Sequence, residues 1–157
     1  MRLKRGLATR DVLYNIGIDI FKDNPLSGIG LGNLKFVGPE YLASYPIGQW
    51  KKNDILSIGI QSSHNLFIET AAEIGLLGVF VLILIICNIG WRYFKEIRKR
   101  KGDKNLYFLI WASYIGIIAR CFFESNGIIN RGWITIDIFF WVMLAVFLRL
   151  DYIKLNN

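Results

Sequence analysis

Ser62-Ser63-His64-Asn65-Leu66-Phe67-Ile68-Glu69, continuing through Ala71, Ala72, Glu73, Ile74 and Gly75 to Gly78, holds the single histidine of the chain. It runs directly into the first long apolar segment. Ser62 or Ser63 can accept hydrogen bonds from free backbone N–H groups, so the spacing predicts a helix start at about residue 63. His64 then falls in the first turn, at the edge of a membrane, where an imidazole suits general-base work near neutral pH. A capping or interfacial histidine is the alternative, and a lone His does not decide between them.

Downstream, residues 74–94, 106–123 and 133–150 are apolar and long enough to cross a bilayer. They predict an all-α integral membrane bundle of three transmembrane helices. Of the 157 residues, 54% are hydrophobic, and the mean hydropathy of +0.38 does not suit a soluble domain of this size. Seven basic residues lie between Arg92 and Lys104 against Glu96 and Asp103, which concentrates most of the net charge of +7 in one short loop. That is the positive-inside pattern and argues against a nucleic-acid partner. It makes loop 95–105 and the tail 151–157 cytoplasmic and leaves residues 1–73 outside. Residues 1–73 have no earlier span to carry them across, so the chain reads as the C-terminal portion of a longer multi-pass protein.

Upstream, Val12, Leu13, Ile16, Ile20 and Phe21 recur at helical spacing, predicting an amphipathic surface helix over 9–22. Thr9 is its expected cap, and Asn24-Pro25 its stop, because the residue before proline avoids the α region. Gly28, Gly30 and Gly32 follow. No strand precedes them, so a dinucleotide site is a poor reading. A tight turn is the better one, with backbone contact to a diphosphate as the functional alternative. Residues 33–62, with Pro39, Pro46, Gly38 and Gly48, are expected to form a long external loop. Its Phe36, Tyr41, Tyr45 and Trp50 suit either headgroup anchoring or stacking on sugar rings.

Cys87 and Cys121 fall at different depths of their spans, too far apart to bridge. With one histidine they make no ordinary zinc site, and neither metal nor cofactor is expected. Arg120, Glu124, Arg131 and Asp137 gather near the outer ends of the second and third spans. Charges there are costly and invite two readings. One is a structural pair of Arg120 with Glu124 or Asp137. The other is contact of Arg120 or Arg131 with a diphosphate.

The string from His64 to Glu69, with Glu73, Gly75 and Gly78 before a hydrophobic helix, resembles a motif of the O-antigen ligase and polymerase family. A second stretch is similar to that family's Arg, helix, Asn-Pro-Leu-x-Gly-x-Gly pattern. It comprises Thr9-Arg10, the amphipathic run to Phe21, and Asp23-Asn24-Pro25-Leu26-Ser27-Gly28-Ile29-Gly30-Leu31-Gly32-Asn33. The resemblance covers roughly residues 9–93. It implies a multi-pass glycosyltransferase of the bacterial plasma membrane that polymerises or ligates undecaprenyl-diphosphate-linked oligosaccharides. His64 and Arg10 would be catalytic, and Gly28, Gly30, Asn65, Arg120 and Arg131 substrate-binding. Its partners would be the lipid-linked oligosaccharide, membrane lipid and other polysaccharide-assembly membrane proteins. The rival readings are a non-catalytic transport or assembly subunit and an inactive truncated fragment.

Overall fold

The computed structural model describes residues 2–99, 105–125, 128 and 134–155. The described chain is helical: α1 (Arg2–Asp23), α2 (Leu34–Ser44), α3 (Gln49–Ile58), α4 (Leu66–Lys99), α5 (Asn105–Arg120) and α6 (Ile134–Leu155). It divides into two compact units. One holds the described residues up to Leu82 together with Phe122–Ser125, and the other holds the rest.

In the first unit, the apolar stripe of α1 makes the core. Val12, Leu13, Ile16 and Ile20 are buried with Leu34 and Leu42 of α2, Ile55 of α3, Ile60, and Ala72 of α4. Each fully buried Ile or Leu contributes about 1.5–3 kcal/mol, so this stripe fixes how α1 sits on its neighbours. The helix begins at Arg2, which corrects the expected start and makes Thr9 an interior residue. The physical reason is that residues 2–8 are mostly strong helix formers. The expected stop holds: Asn24 N–H donates to the Ile20 carbonyl at 3.0 Å, and Pro25 follows.

The expected loop 33–62 is largely helical, a second correction. Leu34, Gly38 and Leu42 are buried along one face of α2, with the Ile60 side chain against Gly38. Burial of that face overrides Pro39, which lies inside the helix. Extended Tyr45 before Pro46 ends α2, and Gly59, at φ 83°, ends α3 by donating to the Ile55 carbonyl. Tyr41 Oη donates to Asp23 Oδ2 at 2.7 Å, tying α2 to the end of α1. That bond, with partial burial, pushes the Tyr41 phenol up to about 12.

α4 is broken at Gly75 (φ 73°, ψ −166°). The break frees backbone groups, and the glycine turn takes them up. Ile29 N–H donates to the Ala72 carbonyl at 3.0 Å, Gly30 N–H to the Glu73 carbonyl at 2.8 Å, and Leu76 N–H to the Pro25 carbonyl at 2.8 Å. The fit is reciprocal. A Cβ on Gly28 would strike the Glu73 carbonyl, and one on Gly75 would strike the Leu26 carbonyl. Both glycines also have positive φ, so the two segments need glycine for conformation and for close approach.

Beyond the break, α4 exposes Leu76, Leu77, Phe80, Val81 and Leu84. Among the described helices it is the one long and apolar enough to cross a membrane. α5 is apolar but only 16 residues long, while α6 has 22 residues and carries Asp137 and Arg149. In the second unit α4, α5 and α6 pack through rings. Tyr93 stands edge-on to Phe147 with centroids 4.0 Å apart, and Tyr114 lies 5.4 Å from Tyr93. Gly90 leaves room for the Tyr114 ring, whose hydroxyl donates to the Ile86 carbonyl at 2.5 Å. Cys87 and Cys121 are both free thiols.

Candidate functional site

The first turn of α4 is capped by Asn65, whose Oδ1 accepts from Phe67 N–H at 2.9 Å and Ile68 N–H at 3.0 Å. This corrects the expected helix start at residue 63. The serine hydroxyls are engaged elsewhere: Ser62 Oγ accepts His64 N–H at 2.9 Å, and Ser63 Oγ donates to the Asn65 carbonyl at 3.1 Å. His64 therefore lies just before the cap rather than in the first turn. It is the one described non-glycine residue with positive φ, at 55°. Such a backbone costs energy, and it persists only where its surroundings hold it.

Those surroundings come from both ends of the first unit. Tyr14 Oη, on α1, donates to the His64 carbonyl at 3.0 Å and to the Phe122 carbonyl at 3.3 Å. Asn65 Nδ2 donates to the Phe122 carbonyl at 2.9 Å, and the Phe67 and Phe122 rings lie 4.7 Å apart. The Phe122–Ser125 segment is thereby drawn over the start of α4 and brings Glu124 to His64. Glu124 Oε2 lies 3.3 Å from His64 Nδ1, and Glu124 Oε1 accepts from Arg10 Nη2 at 2.8 Å. One carboxylate thus joins the two residues singled out as catalytic. The three side chains are 31–38% exposed, so the group is open to a ligand. At that exposure the Arg10–Glu124 pair adds at most about 1 kcal/mol to stability, and its effect is chiefly geometric.

Beneath this open group lies a buried polar layer. Glu69, Glu73, Ser63 and Ser125 are at most 2% exposed. Glu73 Oε1 accepts Leu34 N–H at 3.2 Å, placing a carboxylate on the N-terminus of α2 where the helix dipole favours it. Glu69 Oε2 accepts Ser63 N–H at 2.9 Å and Ser125 Oγ–H at 2.5 Å, and Ser125 Oγ lies 2.7 Å from Ser62 Oγ.

The other expected site residues are distributed less simply. The Gly28 N–H donates to the Asn24 carbonyl and the Gly30 N–H to the Glu73 carbonyl, so both are engaged within the chain. Arg120 is exposed in the last turn of α5, and Asp137 is buried in the first turn of α6. Glu124 pairs with Arg10 and His64, which corrects the first of the two expected pairings of Arg120, that with Glu124. Arg131 lies outside the described residues. Glu124, Tyr14, Glu69 and Ser125 were given no site role from sequence. The available signal was a lone acid beside a serine in the otherwise apolar Phe122-Phe123-Glu124-Ser125 run.

The arrangement suits proton transfer. If Nδ1 carries its hydrogen toward Glu124, Nε2 keeps a free lone pair, and Arg10 holds its guanidinium on the other oxygen of the same carboxylate. No curated protein and no solved structure matches the chain. The family model described as O-antigen ligase matches residues 4–83, just over half of the 157 residues and including Arg10, Gly28, Gly30, His64 and Asn65. That match carries a ligase- or polymerase-type role in polysaccharide assembly at a membrane, and the chain belongs to the O-antigen ligase family.

Proposed function

We propose that this chain forms the reacting face of a glycosyltransferase that moves an oligosaccharide from undecaprenyl diphosphate to a sugar hydroxyl. His64 Nε2 takes the proton of the acceptor hydroxyl. The resulting oxygen nucleophile attacks the anomeric carbon, and the bond from that carbon to the diphosphate oxygen breaks. Undecaprenyl diphosphate leaves with its charge facing Arg10, whose planar fork suits bidentate contact with phosphate. General-base help of this kind is worth roughly 10²–10⁴ in rate. The observation that carries the reading is the shared Glu124 carboxylate, with Arg10 Nη2 at 2.8 Å and His64 Nδ1 at 3.3 Å.

In this reading Glu124 orients the imidazole and keeps Arg10 beside it until the diphosphate arrives. Asn65 serves the site through its cap and its bond to the Phe122 carbonyl. The protein is multi-pass in the plasma membrane, with spans at 74–94, 106–123 and 133–150. Residues 1–73 face outside, with the donor lipid lying among the spans and other assembly proteins alongside. Arg120 and Arg131 are further candidates for the diphosphate. A transporter would exploit a broken helix such as α4 for its substrate. Here Ile29, Gly30 and Pro25 occupy the backbone groups freed at Gly75, which favours the enzyme reading. The test is transfer from a lipid-linked oligosaccharide by membranes carrying His64→Ala at wild-type abundance.

A further inference from the structure

We propose that Glu69, acting through Ser125 and Ser62, is a positioning residue that holds Glu124 against His64; this rests on the His64–Glu124 reading given above. The directions of the bonds follow from hydrogen counting. Ser125 has one hydroxyl hydrogen and gives it to Glu69 Oε2 at 2.5 Å. Its 2.7 Å contact with Ser62 must then be donated by Ser62. Ser62 Oγ in turn accepts His64 N–H at 2.9 Å.

The result is a one-way chain from His64 N–H to Ser62, to Ser125, to Glu69. A second arm closes it, because Ser63 N–H donates to the same Glu69 oxygen at 2.9 Å. The loop thus holds the backbone N–H groups of Ser63 and His64 and the residue next to Glu124. Bonds in such a series polarise one another, and this one ends on a carboxylate buried to 1% exposure. A buried carboxylate with these donors is costly to disturb, so its position is sharply defined. Through Ser125 that definition passes to Glu124, and through Ser62 and Ser63 to the left-handed backbone of His64. Tyr14 and Asn65 hold the segment at Phe122, and Ser125 pins it on the other side of Glu124, so without Ser125 the carboxylate is anchored from one side and by partly exposed pairs.

His64 is the sole histidine of the chain, so histidine labelled with nitrogen-15 in the ring reports this site without ambiguity. The full chain, purified without a histidine tag and set in lipid nanodiscs, is compared as wild type, Ser125→Ala, Ser125→Thr, Ser62→Ala and Glu124→Ala. In wild type the spectrum should show one tautomer, hydrogen on Nδ1. Ser125→Ala should average the two tautomers and lower transfer about tenfold to a hundredfold, the penalty of a misplaced catalytic group. Ser125→Thr, which keeps the hydroxyl, should restore both. If Ser125→Ala does not accumulate, Ser62→Ala removes the same link from its more accessible side and should show the same two changes. A single retained tautomer, or transfer at the wild-type level, overturns the positioning role. An unchanged tautomer in Glu124→Ala instead brings down the His64–Glu124 reading itself, so the two failures are distinct.

Discussion

His64 Nδ1 lies 3.3 Å from Glu124 Oε2, across sixty residues of sequence. The same carboxylate receives Arg10 from 114 residues away. Glu124→Ala should therefore act on both partners, lowering transfer by about 10- to 100-fold. Membrane abundance should change little, because the pairs are partly exposed. Glu124→Gln should fall less, since its amide oxygen still accepts the Nδ1 hydrogen. Quantitative blotting beside a transfer assay reads both, and equal rates for all three forms would exclude a role for Glu124.

Arg10→Ala should nearly abolish transfer, and Arg10→Lys should recover only part of it. Lysine keeps the charge but has no planar fork for phosphate. The loss should appear at low donor concentration as well as at saturation, because the cation meets charge that grows as the diphosphate departs. Kinetics with varied lipid-linked donor would show it, and full rescue by lysine would reduce Arg10 to a surface charge.

Substitution of the glycines should rank by space as well as by backbone. Gly28→Ala and Gly75→Ala meet the carbonyls of Glu73 and Leu26, while nothing lies within 4 Å of a Cβ on Gly32. Gly32→Ala should cost about 1–2 kcal/mol, the ordinary penalty of a positive φ. The other two should cost more and deplete the folded protein. Thermal unfolding in detergent measures the order, and Gly32→Ala proving the most damaging would refute the account of the turn.

Much of this was readable from the chain, and the failures have physical causes. The stripe from Val12 to Ile20 and the Asn24-Pro25 stop are local patterns, and they appear where periodicity puts them. α2 was hidden because its buried face runs Leu34, Gly38, Leu42, and a glycine covered by Ile60 gives no hydrophobic signal. The cap was misplaced because Ser62, Ser63 and Asn65 are all good caps. Only the three-dimensional context diverts the two serines to His64 N–H and the Asn65 carbonyl. Glu124 is one of two partners the sequence offers Arg120, because i, i+4 spacing is visible in a sequence, whereas contacts with residues 10 and 64 are not. The glycines read as a tight turn needing close backbone approach, and what approaches is the broken helix at Gly75; the sequence does not name that neighbour, because glycines freed for close approach look alike beside a phosphate or a backbone.

Sidedness should follow the basic loop. In a background with Cys87→Ser and Cys121→Ser, a cysteine at Gly48 should react with an impermeant thiol reagent in intact cells. A cysteine at Gly102 should react only after the membrane is opened. The reverse pattern would put His64 on the cytoplasmic face and contradict transfer outside.

The measurement closest to the central claim is single-turnover transfer by wild type and His64→Ala, in nanodiscs, with saturating undecaprenyl-diphosphate oligosaccharide and acceptor sugar. Donor binding is measured on the same samples. A general base predicts unchanged donor binding with transfer reduced by roughly 10²–10⁴. Transfer by His64→Ala at the wild-type rate, with the donor bound as before, would contradict the account.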